Sequence, residues 1–92
     1  MFRVVWLQDA LDDLAAIWTQ APSHIRQAIT RAAHAVEEEL QVDPYLQSES
    51  REGDDRVVFA YPLGIGIEID LAQRTVWIVH VWRFRRKGEP AE

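Results

Sequence analysis

Five bases and no acid fall between residues 74 and 87: Arg74, Arg83, Arg85, Arg86 and Lys87. Gathered at the end of an apolar run, they could make a local anion site for phosphates or for an acidic protein partner. A solvated strand end carries the same pattern. A second group with chemical potential is His80 with Glu68 and Asp70, an imidazole and two carboxylates that could move protons if one face collects them. Register decides whether it does. With Ala72 and Gln73 as a two-residue turn, Glu68 lies opposite Trp77 and His80 faces the core. With Ala72 to Arg74 as a three-residue loop, the last strand flips and His80 joins Glu68 on the open face. The letters leave both registers open, and a lone histidine in an apolar strand is more often a satisfied core residue.

Other chemistries find little support. Gly64-Ile65-Gly66 sits in a hairpin rather than between a strand and a helix, so it is no phosphate cradle. Glu68, Asp70 and His80 could hold a metal in only one register, and no pair of histidines is spaced i, i+4. A Ser-His-Asp triad has no supporting local motif. With no cysteine in the 92 residues, disulfides, thiolate zinc sites and thiol nucleophiles drop out together. No cofactor and no metal are expected.

The elements that must position these groups follow from periodicity. Residues 56 to 61 are β-branched and aromatic, and Pro62-Leu63-Gly64 supplies a turn. Ile65, Ile67, Ile69 and Leu71 alternate with Gly66, Glu68 and Asp70, and the apolar set should face the helices. Thr75 to Trp82 is apolar at nearly every position, as in a strand covered on both faces. Upstream, Phe2 to Leu7 alternates as a first strand. A helix follows, with Asp9 as cap and Leu11, Leu14, Ala15 and Trp18 as its buried stripe. Ala21-Pro22 breaks it, and Ser23 should cap a second helix running to about Gln41, with His24 and His34 exposed. Asp43-Pro44 ends that helix, and residues 45 to 55 form a polar loop. The order β-α-α-β-β-β is an α+β fold, an antiparallel-rich sheet with a two-helix hairpin packed on one face. One domain over residues 1–88 is expected, with residues 89–92 as a frayed tail.

Charge narrows the partners. Net charge is -5, but residues 1–55 carry net -7 and residues 56–92 net +2. Diffuse affinity for nucleic acid requires net positive potential, so any RNA contact must be focused at the tail. No signal-peptide pattern opens the chain and no apolar run reaches the roughly 20 residues of a membrane span. A soluble, cytoplasmic protein with no membrane partner is the expectation.

With this order assembled, the chain resembles the RelE/ParE superfamily of toxins from type II toxin–antitoxin modules. The resemblance rests on the short strand Phe2-Arg3-Val4-Val5-Trp6, the helix opening Asp9-Ala10-Leu11-Asp12-Asp13-Leu14, and the strand and tail Val76-Trp77-Ile78-Val79-His80-Val81-Trp82-Arg83-Phe84-Arg85-Arg86. It implies a toxin neutralised by a cognate antitoxin, without cofactor or metal. RelE-like members are metal-independent endoribonucleases acting on mRNA at the ribosome, and the arginine cluster leans the reading that way. The resemblance then implies Arg85 and Arg83 as catalytic cations, with Arg56 or Arg51 as a second base from the preceding strands. Glu49 or His80 would transfer protons, and Arg86, Lys87 and Trp82 would contact RNA or partner. The penultimate strand has Ile65-Gly66-Ile67 where RelE-like toxins commonly carry an arginine, and the chain is acidic. Those departures fit the alternatives: a ParE-like inhibitor of DNA gyrase that acts by protein binding, or a non-toxic antitoxin binder.

Overall fold

A computed structural model describes residues 1–88; the expected tail, residues 89–92, lies outside the described residues. The elements are β1 (Arg3–Trp6), α1 (Gln8–Gln20), α2 (Ser23–Val42), α3 (Pro44–Gln47), β2 (Glu49–Ser50), β3 (Asp55–Ala60), β4 (Leu63–Asp70) and β5 (Thr75–Arg83). One five-stranded sheet runs β1-β5-β4-β3-β2. β1 lies parallel to β5, and the other pairings are antiparallel. α3 and the two-residue β2 occupy what the sequence suggested was loop. Asp43 both ends α2 and caps α3, accepting from the Tyr45 and Leu46 amides, with Pro44 in the first turn of α3.

The core lies between the sheet and the α1–α2 hairpin. Val36 and Leu40 of α2, Leu63, Ile65 and Ile67 of β4, and Val76 and Ile78 of β5 are almost wholly buried. Leu71 does not join them: β4 ends at Asp70, and Leu71 is 58% exposed in the following turn. Two expected caps are also absent. Leu7 and Pro22 occupy the cap positions of α1 and α2, with no side-chain cap bond at either. Each helix starts one residue before its candidate cap or on it, which leaves Asp9 and Ser23 inside the first turn.

α1 departs from its expected stripe. It turns Ala10, Leu14 and Ile17 toward the core, leaving Leu11 42% and Trp18 44% exposed. Ala10 is fully buried, and its small side chain allows the helix backbone to approach the sheet closely. Asp13 completes that docking. β1 stops opposite Ile78, so the edge of β5 beyond it has no strand partner, and Asp13 Oδ2 accepts the Val81 amide at 3.0 Å. Asp13→Ala should lower unfolding free energy by about 1–2 kcal/mol, because it strands a partly buried amide. Asp13→Asn, which keeps an acceptor, should recover most of that loss in urea denaturation.

Candidate functional site

The sheet face away from the helices is the candidate site. Strand alternation places Gly64, Gly66 and Glu68 of β4 on it, with Val57 and Phe59 of β3 across the pairing. β5 settles the register in a way neither expected loop provided. Glu68 pairs with Trp77 and Asp70 with Thr75, as a tight turn demands, yet Gly66 pairs with His80 because a bulge intervenes between Gly66 and Ile67. The extra residue, Val79, carries His80 to the open face beside Trp82. His80 is exposed.

The two glycines explain the local surface. A side chain at Gly64 would run into the Trp82 indole, and a Cβ at Gly66 would lie 2.6 Å from His80 Cδ2. Both rings therefore lie flat on bare backbone and stack on each other, centroids 5.0 Å apart and planes 29° apart. Phe59 meets Trp82 edge-on at 6.2 Å, Phe84 meets Phe59 at 5.6 Å, and Tyr61 meets Phe84 at 5.8 Å. Arg86 closes the row, its guanidinium 3.8 Å from the Tyr61 ring centre. An aromatic surface thus runs from His80 to Arg86. Sequence reasoning singled out its two ends and missed Phe59 and Tyr61. The legible signal was Gly-x-Gly in one strand facing His-x-Trp in the next.

The remaining site residues do not converge there. Arg56 points to the helix side, where its Nε donates to Ser48 Oγ at 2.6 Å and its Nη2 to the Ser48 and Tyr45 carbonyls at 2.9 and 3.3 Å. Its guanidinium also covers the Tyr45 ring at 5.3 Å. Arg83, paired with Leu63, falls on the helix side as well, and with Arg85 it lines a cleft against Ile17, Gln20 and Ala21 at the end of α1. Lys87 is exposed. Glu49 is on the open face, in one cross-strand row with Val57, Gly66 and His80. Three strand spacings, about 14 Å, separate it from His80, and Arg51 Nη1 lies 3.5 Å from its carboxylate. The row next to His80 contains Trp77, Glu68 and Asp55. The charged residues of these two rows are carboxylates, not arginines. Among the described residues no group of three His, Cys, Asp or Glu side chains is placed to hold a metal ion, and no helix is long and apolar enough to cross a membrane.

This architecture is that of the RelE and ParE toxins: a five-stranded mixed sheet with a helical hairpin on one face. The chain superimposes on the ParDE toxin–antitoxin system of P. aeruginosa with a TM-score of 0.72 at 18% identity, covering 92% of this chain and 98% of that one. The RelBE2 toxin–antitoxin complex of Mycobacterium tuberculosis gives 0.63 at 22% identity, over 91% and 98%. The intact E. coli RelBE complex gives 0.58 at 13% identity, over 94% and 100%. No protein-family model matches the sequence, nor does any curated protein.

Proposed function

We propose that this protein is the toxin of a type II toxin–antitoxin module, neutralised by a cognate antitoxin, and that it acts by binding a protein target, as a ParE-like inhibitor of DNA gyrase. The observation that carries the choice of mechanism is the separation of charge on the sheet. An endoribonuclease of this kind would need cations beside its proton-transfer group, to stabilise the phosphorane formed when the 2′-OH attacks phosphorus. Here the charged residues in the row of His80 and in the row beside it are Glu49, Glu68 and Asp55, while Arg56 and Arg83 project from the other face. A gyrase inhibitor needs no such constellation. The toxin–antitoxin partnership is supported by the fold shared with RelBE and ParDE.

The endoribonuclease reading retains one supporting observation. His80 and Glu49 share one cross-strand row with Gly66 and Val57 between them, and His80 stacks on Trp82 as aromatic rings that hold unpaired bases do.

Tightly controlled expression of the chain, followed by labelled thymidine and methionine uptake, separates the two. Thymidine uptake should stop first, with gyrase-dependent DNA breaks. Prompt loss of methionine uptake with mRNA cut at defined codons would instead favour the endoribonuclease. Charge reversal at Arg85, which lies at the surface with Arg83 beside α1, should reduce toxicity at least about tenfold, the scale of losing one interfacial charge contact. Unchanged toxicity and antitoxin binding would reduce the basic tail to a solvated strand end.

A further inference from the structure

The open sheet face carries aromatic rings and carboxylates side by side, and together they specify a kind of partner. Trp82 and His80 lie with one side on the bare backbone of Gly64 and Gly66, which turns the other side outward, and they stack on each other at 5.0 Å. The aromatic row already takes a guanidinium at its far end, where Arg86 sits 3.8 Å over the Tyr61 ring. Glu68 follows Gly66 on this face of β4 and is exposed. At that end Asp54, Glu68 and Asp70 line one cleft of about 480 Å³ with Tyr45 and Trp77, and no base lines it. Asp70 Oδ1 accepts the Gln73 amide at 3.0 Å. The bases of this face sit at its margins: Arg51 is 3.5 Å from Glu49, Arg86 covers Tyr61, and Arg3 lies on β1, two strands from Asp70. Rings beside carboxylates attract cations and repel phosphates.

We propose, resting on the reading that the chain acts by binding a protein, that this face takes an extended, arginine-bearing segment of the partner. One guanidinium stacks on the Trp82–His80 pair and a second enters the Glu68 cleft against Trp77. From Gly64 to Glu68 is four residues, about 13 Å of strand. An extended segment lying along β4 has its i and i+4 side chains on one side at that same spacing. Two arginines with three residues between them therefore meet both places. A planar guanidinium suits the ring stack better than an ammonium does. A nucleic-acid backbone would set its phosphates against Asp54, Glu68 and Asp70.

The test is fluorescence anisotropy of a fluorescein-labelled peptide, Gly-Arg-Gly-Ser-Gly-Arg-Gly, titrated with the purified full chain made by cell-free synthesis. Binding should saturate and should weaken as salt is added. Glu68→Lys and Trp82→Leu should each weaken it at least about fivefold. The same peptide with glutamate at both arginine positions should not bind, and a labelled oligouridylate should bind at least about tenfold more weakly. Circular dichroism confirms that each variant is folded, and Glu68→Gln, a milder change at an exposed position, should weaken binding in the same direction. An arginine peptide that fails to bind wild type would overturn the proposal, and with thymidine arrest intact would leave the proposed function standing. Binding that both variants leave unchanged would also overturn it, as would a preference for the oligouridylate. Codon-specific mRNA cleavage, which shows in the expression assay and not in the titration, would overturn the protein-binding reading and this proposal with it.

Discussion

Gly64→Val should cost the fold about 3 kcal/mol and release Trp82 from the sheet. The branched side chain would occupy the space filled by the indole, which packs against the bare backbone of Gly64. Gly64 is buried, with Phe59 opposite it on β3 and Trp82 on β5, so neither the strand nor the ring has space to retreat within the sheet. Overpacking of this kind typically costs about 1–3 kcal/mol where side chains can adjust, and the upper end applies where the obstruction is backbone on one side and a large ring on the other. Trp82 is the element that can leave. Its departure would unstack His80 and remove the edge contact with Phe59. The expected readout is a lowered urea midpoint with unchanged slope, together with red-shifted tryptophan emission. Gly66→Val tests the neighbouring place, where His80 is more exposed and can swing into solvent, so the loss should be smaller. Equal losses at the two positions would mean that the rings are not held by the glycines.

Arg56→Met should cost about 2–3 kcal/mol and leave any biological activity proportional to the folded fraction. Its guanidinium holds the α3–β2 corner by three hydrogen bonds and covers the Tyr45 ring. Ser48 Oγ, which receives the Nε bond, itself donates to the Pro44 carbonyl at 2.6 Å, so one cation organises the whole turn. Removing it strands the Ser48 and Tyr45 carbonyls, and hydrogen bonds to a charged donor are worth more than neutral ones. Arg56→Lys keeps the charge but lacks the fork, and should recover less than half of the loss. Urea denaturation measures both. A stable Arg56→Met protein that has lost whatever activity the wild type shows would reverse the assignment, placing Arg56 in the functional site.

Much of the fold was legible because hydrophobic period is local. The alternation of Ile65, Ile67 and Ile69, the second helix running from Ser23 to about Gln41, and the break at Asp43-Pro44 all read through to the structure. The errors arose where tertiary contact chose between local equivalents. In α1 the expected stripe Leu11-Leu14-Ala15-Trp18 and the observed one, Ala10-Leu14-Ile17, share Leu14 and fit a helix equally well, and Leu11 and Trp18 looked like the core. The observed set buries the small Ala10 against the sheet, and Asp13 reaches the Val81 amide on the same side. The bulge at Val79 was invisible for a related reason. It shows only in pairing, and it turned the choice between two loops into a false alternative, since the tight-turn pairing and an outward His80 coexist. Among site residues, the family resemblance supplied Arg56 as a cation but could not foresee Ser48 and Tyr45 occupying it.

The parallel pairing of β1 with β5 sets the order of events during folding. Arg3 lies beside Thr75 and Trp6 beside Ile78, contacts roughly seventy residues apart, which carry the loop-closure cost of long-range pairing. During synthesis β1 emerges early and can meet α2, but its strand partner is absent until β5 is out. β5 also carries His80, Trp82 and the approach to the basic segment, so completing the sheet and assembling the candidate surface are the same step. A nascent chain lacking β5 presents neither. The candidate surface is therefore complete only once β5 has closed the sheet, however early the helical hairpin forms.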